Sequence, residues 1–437
     1  MRKNQSTHQS KRNRIQARIV VLSIILVCLV TLVVAQTATY KIHIIGDSTV
    51  CNYAENKYPW AGWGQVFGLF FKSGTVTINN AAIGGRSTKS FYVEGRWNTL
   101  LGEIKSGDFV LIQFGHNDRD YSKEERYADT TLYKSYLKKY VTESRAKGAV
   151  PVFVTPMNMN TWNGTTLREV FTEKERGADY RGAMINVANE LMVPLIDLEK
   201  KSAAFMKTVG QAYCTSFQFM GLDAGEYPNY PDGNADGTHF QEMGALVNAR
   251  MVAEGIKELS SHADVGKLAA VLAPLYQLTV QTNKANTGLV TVSGSFPAGA
   301  TVTVKVKPNS SETFQNWADA TGKSITTSKL HSFKMGTNPV TYNAMFKGGG
   351  AVGVRGDASV MKKNIVAAHI AVNNSVLQIT APERILSIDL YAINGKHILT
   401  VNPDTSSAQV NCTNLGNAVY RIVMKTARGN IYRNITI

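Results

Sequence analysis

The residues able to carry out hydrolytic chemistry fall in four short stretches of the 437-residue chain: Gly46-Asp47-Ser48-Thr49, Gly84-Gly85-Arg86-Ser87, Gly115-His116-Asn117-Asp118 and Asp236-Gly237-Thr238-His239. Cleaving an ester requires a nucleophile, a base for its proton and donors for the oxyanion. Ser48 can be the nucleophile. His239 can take its proton and return it to the leaving alcohol. Asp236, three residues earlier, can hold the imidazole tautomer and stabilise the imidazolium. The backbone N–H groups of Ser48 and Gly85, with the side-chain amide of Asn117, supply three oxyanion donors. Gly85 suits that role because it has no side chain to block close approach, and Gly84 beside it offers the same. Taken singly each stretch is ordinary: Gly-Asp-Ser is usually a turn, and Asp-x-x-His is often a capped helix start. His116 and Asp47 read as braces for their loops rather than as reacting groups. The scheme needs no metal and no cofactor.

Such a site requires elements that bring four distant stretches together. Short apolar runs predict strands at Lys41–Ile45, Val76–Asn79, Phe109–Phe114, Val150–Thr155 and Pro194–Asp197. Helical patterns lie between and after them at Trp63–Phe71, Trp97–Ile104, Leu132–Lys147, Asp179–Leu191 and Glu242–Leu259. This β-α-β rhythm predicts a doubly wound parallel α/β sheet, whose ligand site lies beyond the carboxyl ends of the strands. The first three chemical stretches each follow a strand, and the fourth precedes the last helix. After about Ser261 the pattern turns to β-runs, Tyr276–Gln281, Gly288–Ser293 and Thr301–Val306, with Phe314 and Trp317 as aromatic core. Lys347-Gly348-Gly349-Gly350 reads as a linker. A second β-rich block follows, with strands at Ile385–Tyr391, Val419–Met424 and Ile431–Ile437 and a hairpin signal at Asn394-Gly395.

The four stretches resemble the SGNH (GDSL-like) hydrolases, and Lys41 to Ala245 is similar to their rhamnogalacturonan acetylesterase branch through "IIGDSTV", "WAGWGQVF", "NNAAIGGRSTKSF", "VLIQFGHND" and "DGTHFQEMGA". The resemblance implies a flavodoxin-like three-layer α/β/α sandwich, a Ser48–His239–Asp236 triad and an oxyanion hole of Ser48, Gly85 and Asn117. It implies an acetylesterase acting on acetylated plant cell-wall polysaccharide. The stretch from Asn158 to Asp179 has no counterpart in the pattern. Residues 275–346 resemble the divergent repeat modules of bacterial surface proteins through "GLVTVSG", "AGATVTVKVKP" and "FQNWADATGKSITT". Residues 359–437 resemble the C-terminal sorting domain of type IX secretion through "ILSIDLYAINGKHIL" and "LGNAVYRIVMKTARGNIYRNITI", which implies the secretion machinery as a partner.

The expected division is a signal peptide at 1–35, an SGNH catalytic domain at 36–262, a repeat-like β-module at 263–347, a Gly-rich linker at 348–358 and a β-sandwich sorting-like domain at 359–437. In the leader, basic residues from Arg2 to Arg18 precede an uncharged apolar run from Ile19 to Ala35. That is the signal-peptide pattern, with cleavage before Gln36 or retention as an N-terminal anchor. Either way the remainder is expected outside the cytoplasm, secreted or at the cell surface. Net charge is +15, distributed as +6 over residues 1–35, −1 over 36–262 and +10 over 263–437. The nearly neutral catalytic stretch argues against a nucleic-acid partner. Three cysteines outside the leader show no metal-site spacing, and Cys51 and Cys214 are either a pair or separate thiols. Candidate substrate contacts are Arg86, Arg119 and Lys89, whose cations suit galacturonate carboxylates, and the aromatics Tyr53, Trp60, Trp63, Tyr92 and Trp97. Trp63 and Trp97 also fit plain helix packing. Other readings are an acetylxylan or general short-chain esterase, and, in a different class, a carbohydrate-binding surface adhesin without catalysis.

Overall fold

Five short runs, rich in β-branched and aromatic residues, form the central sheet of the computed structural model: β1 (Tyr40–Gly46), β2 (Val76–Asn80), β3 (Phe109–Gln113), β4 (Val150–Val154) and β5 (Leu195–Ile196). The structure describes residues 39–174, 177–348, 369–373, 376–392, 397–413, 415, 419–426 and 429–436. The expected leader, the linker beyond Gly348 and the Asn394-Gly395 turn lie outside them. The strand order is β2-β1-β3-β4-β5, with every pairing parallel. Helices cover both faces, so the central strands are apolar at nearly every position, and β3 is buried throughout. The chain leaves β1 towards β2 on one side, then crosses to β3 on the other. The order therefore reverses between β1 and β3, and their carboxyl ends open onto the crevice where such sheets bind ligands.

The helices are α1 (Trp63–Val66, tightening into a 3-10 turn over Phe67–Phe70), α2 (Thr88–Val93), α3 (Arg96–Leu101), α4 (Thr130–Ala146), α5 (Tyr180–Leu191), α6 (Leu198–Val209), α7 (Glu242–Glu258) and α8 (Val265–Ala270). Side-chain caps fix several starts: Asp129 accepts from the N–H groups of Thr131 and Leu132, and Asp179 from that of Gly182. One face of the sheet packs on α1, α6 and α7 through residues such as Trp63, Phe67, Met206, Leu246 and Ile256. The other packs on α2 to α5 through Phe91, Trp97, Tyr133, Leu137 and Val187. The result is a three-layer α/β/α sandwich.

The strands β6 (Leu275–Thr282), β7 (Gly288–Val290), β8 (Gly294–Pro297), β9 (Thr301–Pro308), β10 (Phe314–Ala318), β11 (Ser324–Thr326), β12 (Leu330–Lys334) and β13 (Val340–Phe346) follow. They form two sheets, β8-β6-β13-β10-β11 and β7-β9-β12. Their core residues Leu278, Phe296, Val302, Val304 and Trp317 belong to the same apolar cluster as Ile42 and Leu246 of the sandwich. Contacts accordingly divide the chain at Val352, not at residue 262: one unit is Met1–Val352 and the other Gly353–Ile437. The second unit is an antiparallel sheet of β14 (His369–Asn373), β15 (Val376–Ala392), β16 (His397–Val401), β17 (Thr405–Asn411), β18 (Val419–Thr426) and β19 (Gly429–Thr436). Alternate residues of β15, among them Leu377, Ile379, Ile388 and Leu390, meet Ile422 and Met424 of β18 in its own core.

Candidate active site

The site is built on the turn after β1. Asp47 is wholly buried, and its carboxylate accepts from the Thr49 N–H at 2.9 Å and the Thr49 hydroxyl at 2.7 Å. Its carbonyl accepts from the N–H groups of Val50 and Cys51. The other carboxylate oxygen lies 3.2 Å from His116 Nδ1. Burial alone would raise the Asp47 pKa. The paired His116 and the Thr49 donors outweigh it and hold the carboxyl below its usual value. Asp47 and His116 thus brace the nucleophile turn from beneath, as their positions beside the motifs predict. They leave Ser48 half-buried at its tip, its carbonyl accepting from the Tyr53 hydroxyl at 2.7 Å.

The acid–base pair comes from the loop before α7. Asp236 caps its own turn, accepting from the N–H groups of Thr238 at 2.7 Å and His239 at 3.0 Å. Its second oxygen lies 2.6 Å from His239 Nδ1, and His239 Nε2 lies 2.8 Å from Ser48 Oγ. Burial pushes the Asp236 carboxyl up, but the hydrogen bond and charge of His239 and two backbone donors hold it below its usual value. An ionised Asp236 can only accept. In the neutral imidazole Nδ1 therefore carries the hydrogen, and Nε2 is the acceptor for the Ser48 hydroxyl. A two-residue antiparallel ladder, Trp60–Ala61 with Phe240–Gln241, ties this loop to the chain leaving the nucleophile turn. The Trp60 indole covers the imidazole at 4.7 Å between ring centres.

The three expected oxyanion donors lie at the same place. Gly85 adopts φ +79° and lines the cleft with Ser48, Asn117 and His239. Among the described residues the N–H groups of Ser48 and Gly85 donate to no other group. The Asn117 amide donates one hydrogen to the Arg86 carbonyl at 3.0 Å, which fixes its plane and leaves its second N–H unused. Asp118 joins these loops: it accepts from the Thr88 N–H at 3.0 Å and from the Thr88 hydroxyl, tying the start of α2 to the loop after β3. The cleft has a volume of about 630 Å³. The arrangement can deprotonate Ser48 as it attacks a carbonyl, hold the resulting oxyanion and protonate the leaving oxygen.

The substrate-contact expectations divide. Arg119 lines the cleft, as do the aromatics Tyr53 and Trp60. Trp63 does not. It is fully buried in α1 and donates its indole N–H to Gln113 at 2.7 Å, so it is a core residue and not a sugar platform. Trp97 is likewise buried, its N–H on Glu143. Arg86 is corrected too: its guanidinium is engaged by the Gly84 carbonyl at 2.8 Å and by Glu94 at 3.1 Å, and it is absent from the cleft lining. Lys89 donates to the Glu124 carbonyl. Sequence reasoning missed Asp120, Tyr121, Arg126 and Met159, which also line the cleft. The signal was a dense run of charge from Arg119 to Arg126, which by composition alone reads as solvated loop. Cys51 and Cys214 are separate buried thiols. Among the described residues no cluster of His, Cys, Asp and Glu could hold a metal ion, and no helix is long and apolar enough to cross a membrane.

With its reversed sheet order and Ser–His–Asp chain, the protein belongs to the GDSL-like lipase/acylhydrolase family, whose model matches residues 44–245, and is a carboxylic ester hydrolase. Two curated relatives come from Bacillus subtilis: rhamnogalacturonan acetylesterase RhgT and probable rhamnogalacturonan acetylesterase YesY. RhgT is 40% identical over 223 residues, covering 50% of this chain and 90% of RhgT. YesY is 39% identical over 220 residues, covering 50% of this chain and 93% of YesY. The crystal structure of YxiM from the same species superposes on 52% of this chain and 58% of its own with a TM-score of 0.43 at 27% identity. Residues 278–350 match the divergent InlB B-repeat domain.

Proposed function

We propose that this protein is an exported carbohydrate esterase that removes acetyl groups from pectin, with rhamnogalacturonan as the preferred polymer. Ser48 is the nucleophile, His239 the base and then the acid, and Asp236 the group that orients His239. Ser48, Gly85 and Asn117 hold the oxyanion. The observation that carries the reading is the unbroken chain Asp236–His239–Ser48, at 2.6 and 2.8 Å, opening on a cleft with unused N–H donors. The polymer is argued from two relatives named for rhamnogalacturonan and from charge. Arg119 pairs with no carboxylate among the described residues, and Arg126, which lines the cleft with it, is ion-paired with Asp120. Guanidinium groups so placed suit the carboxylate of a uronic acid next to the acetylated sugar. The leader serves export. Residues 359–437 serve as the address read by type IX secretion machinery, which places the enzyme outside the cell or on its surface.

Acetate release from acetylated rhamnogalacturonan, homogalacturonan and xylan tests this. The expected order is rhamnogalacturonan first and xylan last, with Ser48→Ala lowering every rate at least about a thousandfold. Replacing Arg119 and Arg126 together by alanine is expected to lower kcat/KM about tenfold on the pectic polymers, roughly 1.4 kcal/mol, and to leave p-nitrophenyl acetate unchanged. Equal loss on charged and neutral substrates rejects the uronate contact. Faster release from xylan than from either pectin rejects the polymer.

A further inference from the structure

The β-module formed by residues 275–346 contacts the segments next to the one that carries His239. Its strand β9 carries Lys305, only 6% exposed, whose ammonium is ion-paired with Glu226 and donates to the Ser216 carbonyl at 2.6 Å. The same ammonium lies 5.2 Å from the centre of the Phe217 ring. The Ser216 carbonyl also accepts from the Gln241 side chain at 2.9 Å, and that amide donates again to the Phe219 carbonyl at 2.6 Å. Gln241 stands two residues after His239. The Met220 N–H, in turn, donates to the His239 carbonyl at 2.9 Å. The segment Ser216–Met220 is therefore a rail against which the His239 strand is hydrogen-bonded, and Lys305 holds that rail from the module. Further contacts set the grip. The Thr303 N–H meets Met243 Sδ at 3.3 Å, the Val292 N–H donates to the Tyr213 hydroxyl at 3.2 Å, and Leu330 packs with Met220, Leu222 and Tyr227.

We propose that Lys305 is a positioning residue for His239, and that the β-module is thereby a working part of the esterase and not an appended binding unit. The proposal rests on the triad reading above. A buried ammonium is costly to keep, and burial lowers the pKa of Lys305 despite the opposing Glu226 carboxylate. An apolar pair of similar volume would satisfy packing as well. What the ammonium adds is a second donor to the Ser216 carbonyl, beside that of Gln241. Small displacements of a base cost rate steeply, since a misplacement of roughly 1 Å can cost about a hundredfold.

Three full-length variants test it on acetylated rhamnogalacturonan and p-nitrophenyl acetate: Lys305→Met, Glu226→Leu and the double variant. Lys305→Met strands the Glu226 carboxylate and is expected to lower Tm. The double variant removes both charges and is expected to recover most of that Tm. Turnover should not recover: kcat stays about tenfold low with KM within about twofold in both Lys305 variants. A double variant with wild-type kcat assigns Lys305 to stability alone and overturns the proposal, as does Lys305→Met with wild-type kcat. Failure of the triad reading is seen separately, as full activity in Ser48→Ala.

Discussion

Four carboxyl groups of the sandwich titrate in two opposite senses, and the difference is set by what faces each one. Asp47 and Asp236 meet imidazoles and backbone donors, which hold their native pKa values below 3.8. Their contribution to stability is intact above 3.8 and is lost as pH falls through the native values. Glu199, by contrast, is buried beside Glu169 and raised to about 7. Asp118 behaves like Glu199. Burial and the nearby Asp47 charge raise it to about 7 although Thr88 donates to it twice, and its second oxygen has no partner. A carboxyl raised from 3.8 to about 7 leaves the fold at full stability below 3.8 and weakens it as pH rises towards and through 7. Asp118→Asn removes that titration while keeping an oxygen for Thr88. The variant is expected to gain, relative to wild type, on the order of a few kcal/mol between pH 4 and pH 8, measured by urea unfolding at each pH. Parallel stability curves for the two proteins would show that Asp118 does not carry this charge.

At the scale of elements, the nucleophile turn and α1 support each other. The first helical N–H groups lack partners inside a helix. Here those of Trp63 and Gly64 donate to the carbonyls of Thr49 and Val50. The contact is so close that a Cβ on Gly62 would stand 2.3 Å from the Cys51 carbonyl oxygen and 2.4 Å from the Val50 carbonyl carbon. Gly62→Ala must therefore displace the Ser48 turn, and kcat is expected to fall at least about tenfold with a lower Tm. Gly74→Ala serves as the control, since φ is +75° there and nothing lies within 4 Å. Strain at Gly74 should cost about 1 kcal/mol and leave kcat unchanged. Equal kcat for both variants would deny the mechanical link between α1 and the nucleophile. The strands β3 and β4 were legible because buried parallel strands are continuous apolar runs. The short helix α2 was not: Thr88 and Ser90 are indifferent helix formers, and its start is anchored by Asp118, 30 residues further on. Trp60 and Trp63 show the same limit at the site. Both flank the nucleophile motif, yet one covers His239 and the other is core, because Trp60 lies in the ladder with Gln241 and Trp63 begins α1. Pairing across 181 positions of chain, from Trp60 to Gln241, leaves no local trace in the sequence.

For the molecule as a whole, the change in pattern near Ser261 marks a change of architecture without marking a boundary of stability. Beyond it the chain still packs on the sandwich: Phe71 bridges to Leu272, the Ala273 N–H donates to the Phe70 carbonyl, and Lys307 pairs with Asp223 at 2.8 Å. A protein cut after residue 262 would expose Met243 and the face of α7 that β9 covers, and would leave Glu226 without its cation. The second unit has its own core. Two truncations separate these cases. Residues 36–348 are expected to unfold cooperatively and to hydrolyse p-nitrophenyl acetate within about twofold of the full chain, because the triad, its rail and Lys305 are all retained. Residues 36–262 are expected to aggregate or to melt at least about 10 °C lower, given that a loss of 1 kcal/mol shifts Tm by about 2–4 °C in a domain of this size. A fragment ending at residue 262 with full-length Tm and kcat would mean that the shared apolar cluster contributes nothing, and that the β-module is an appendage after all.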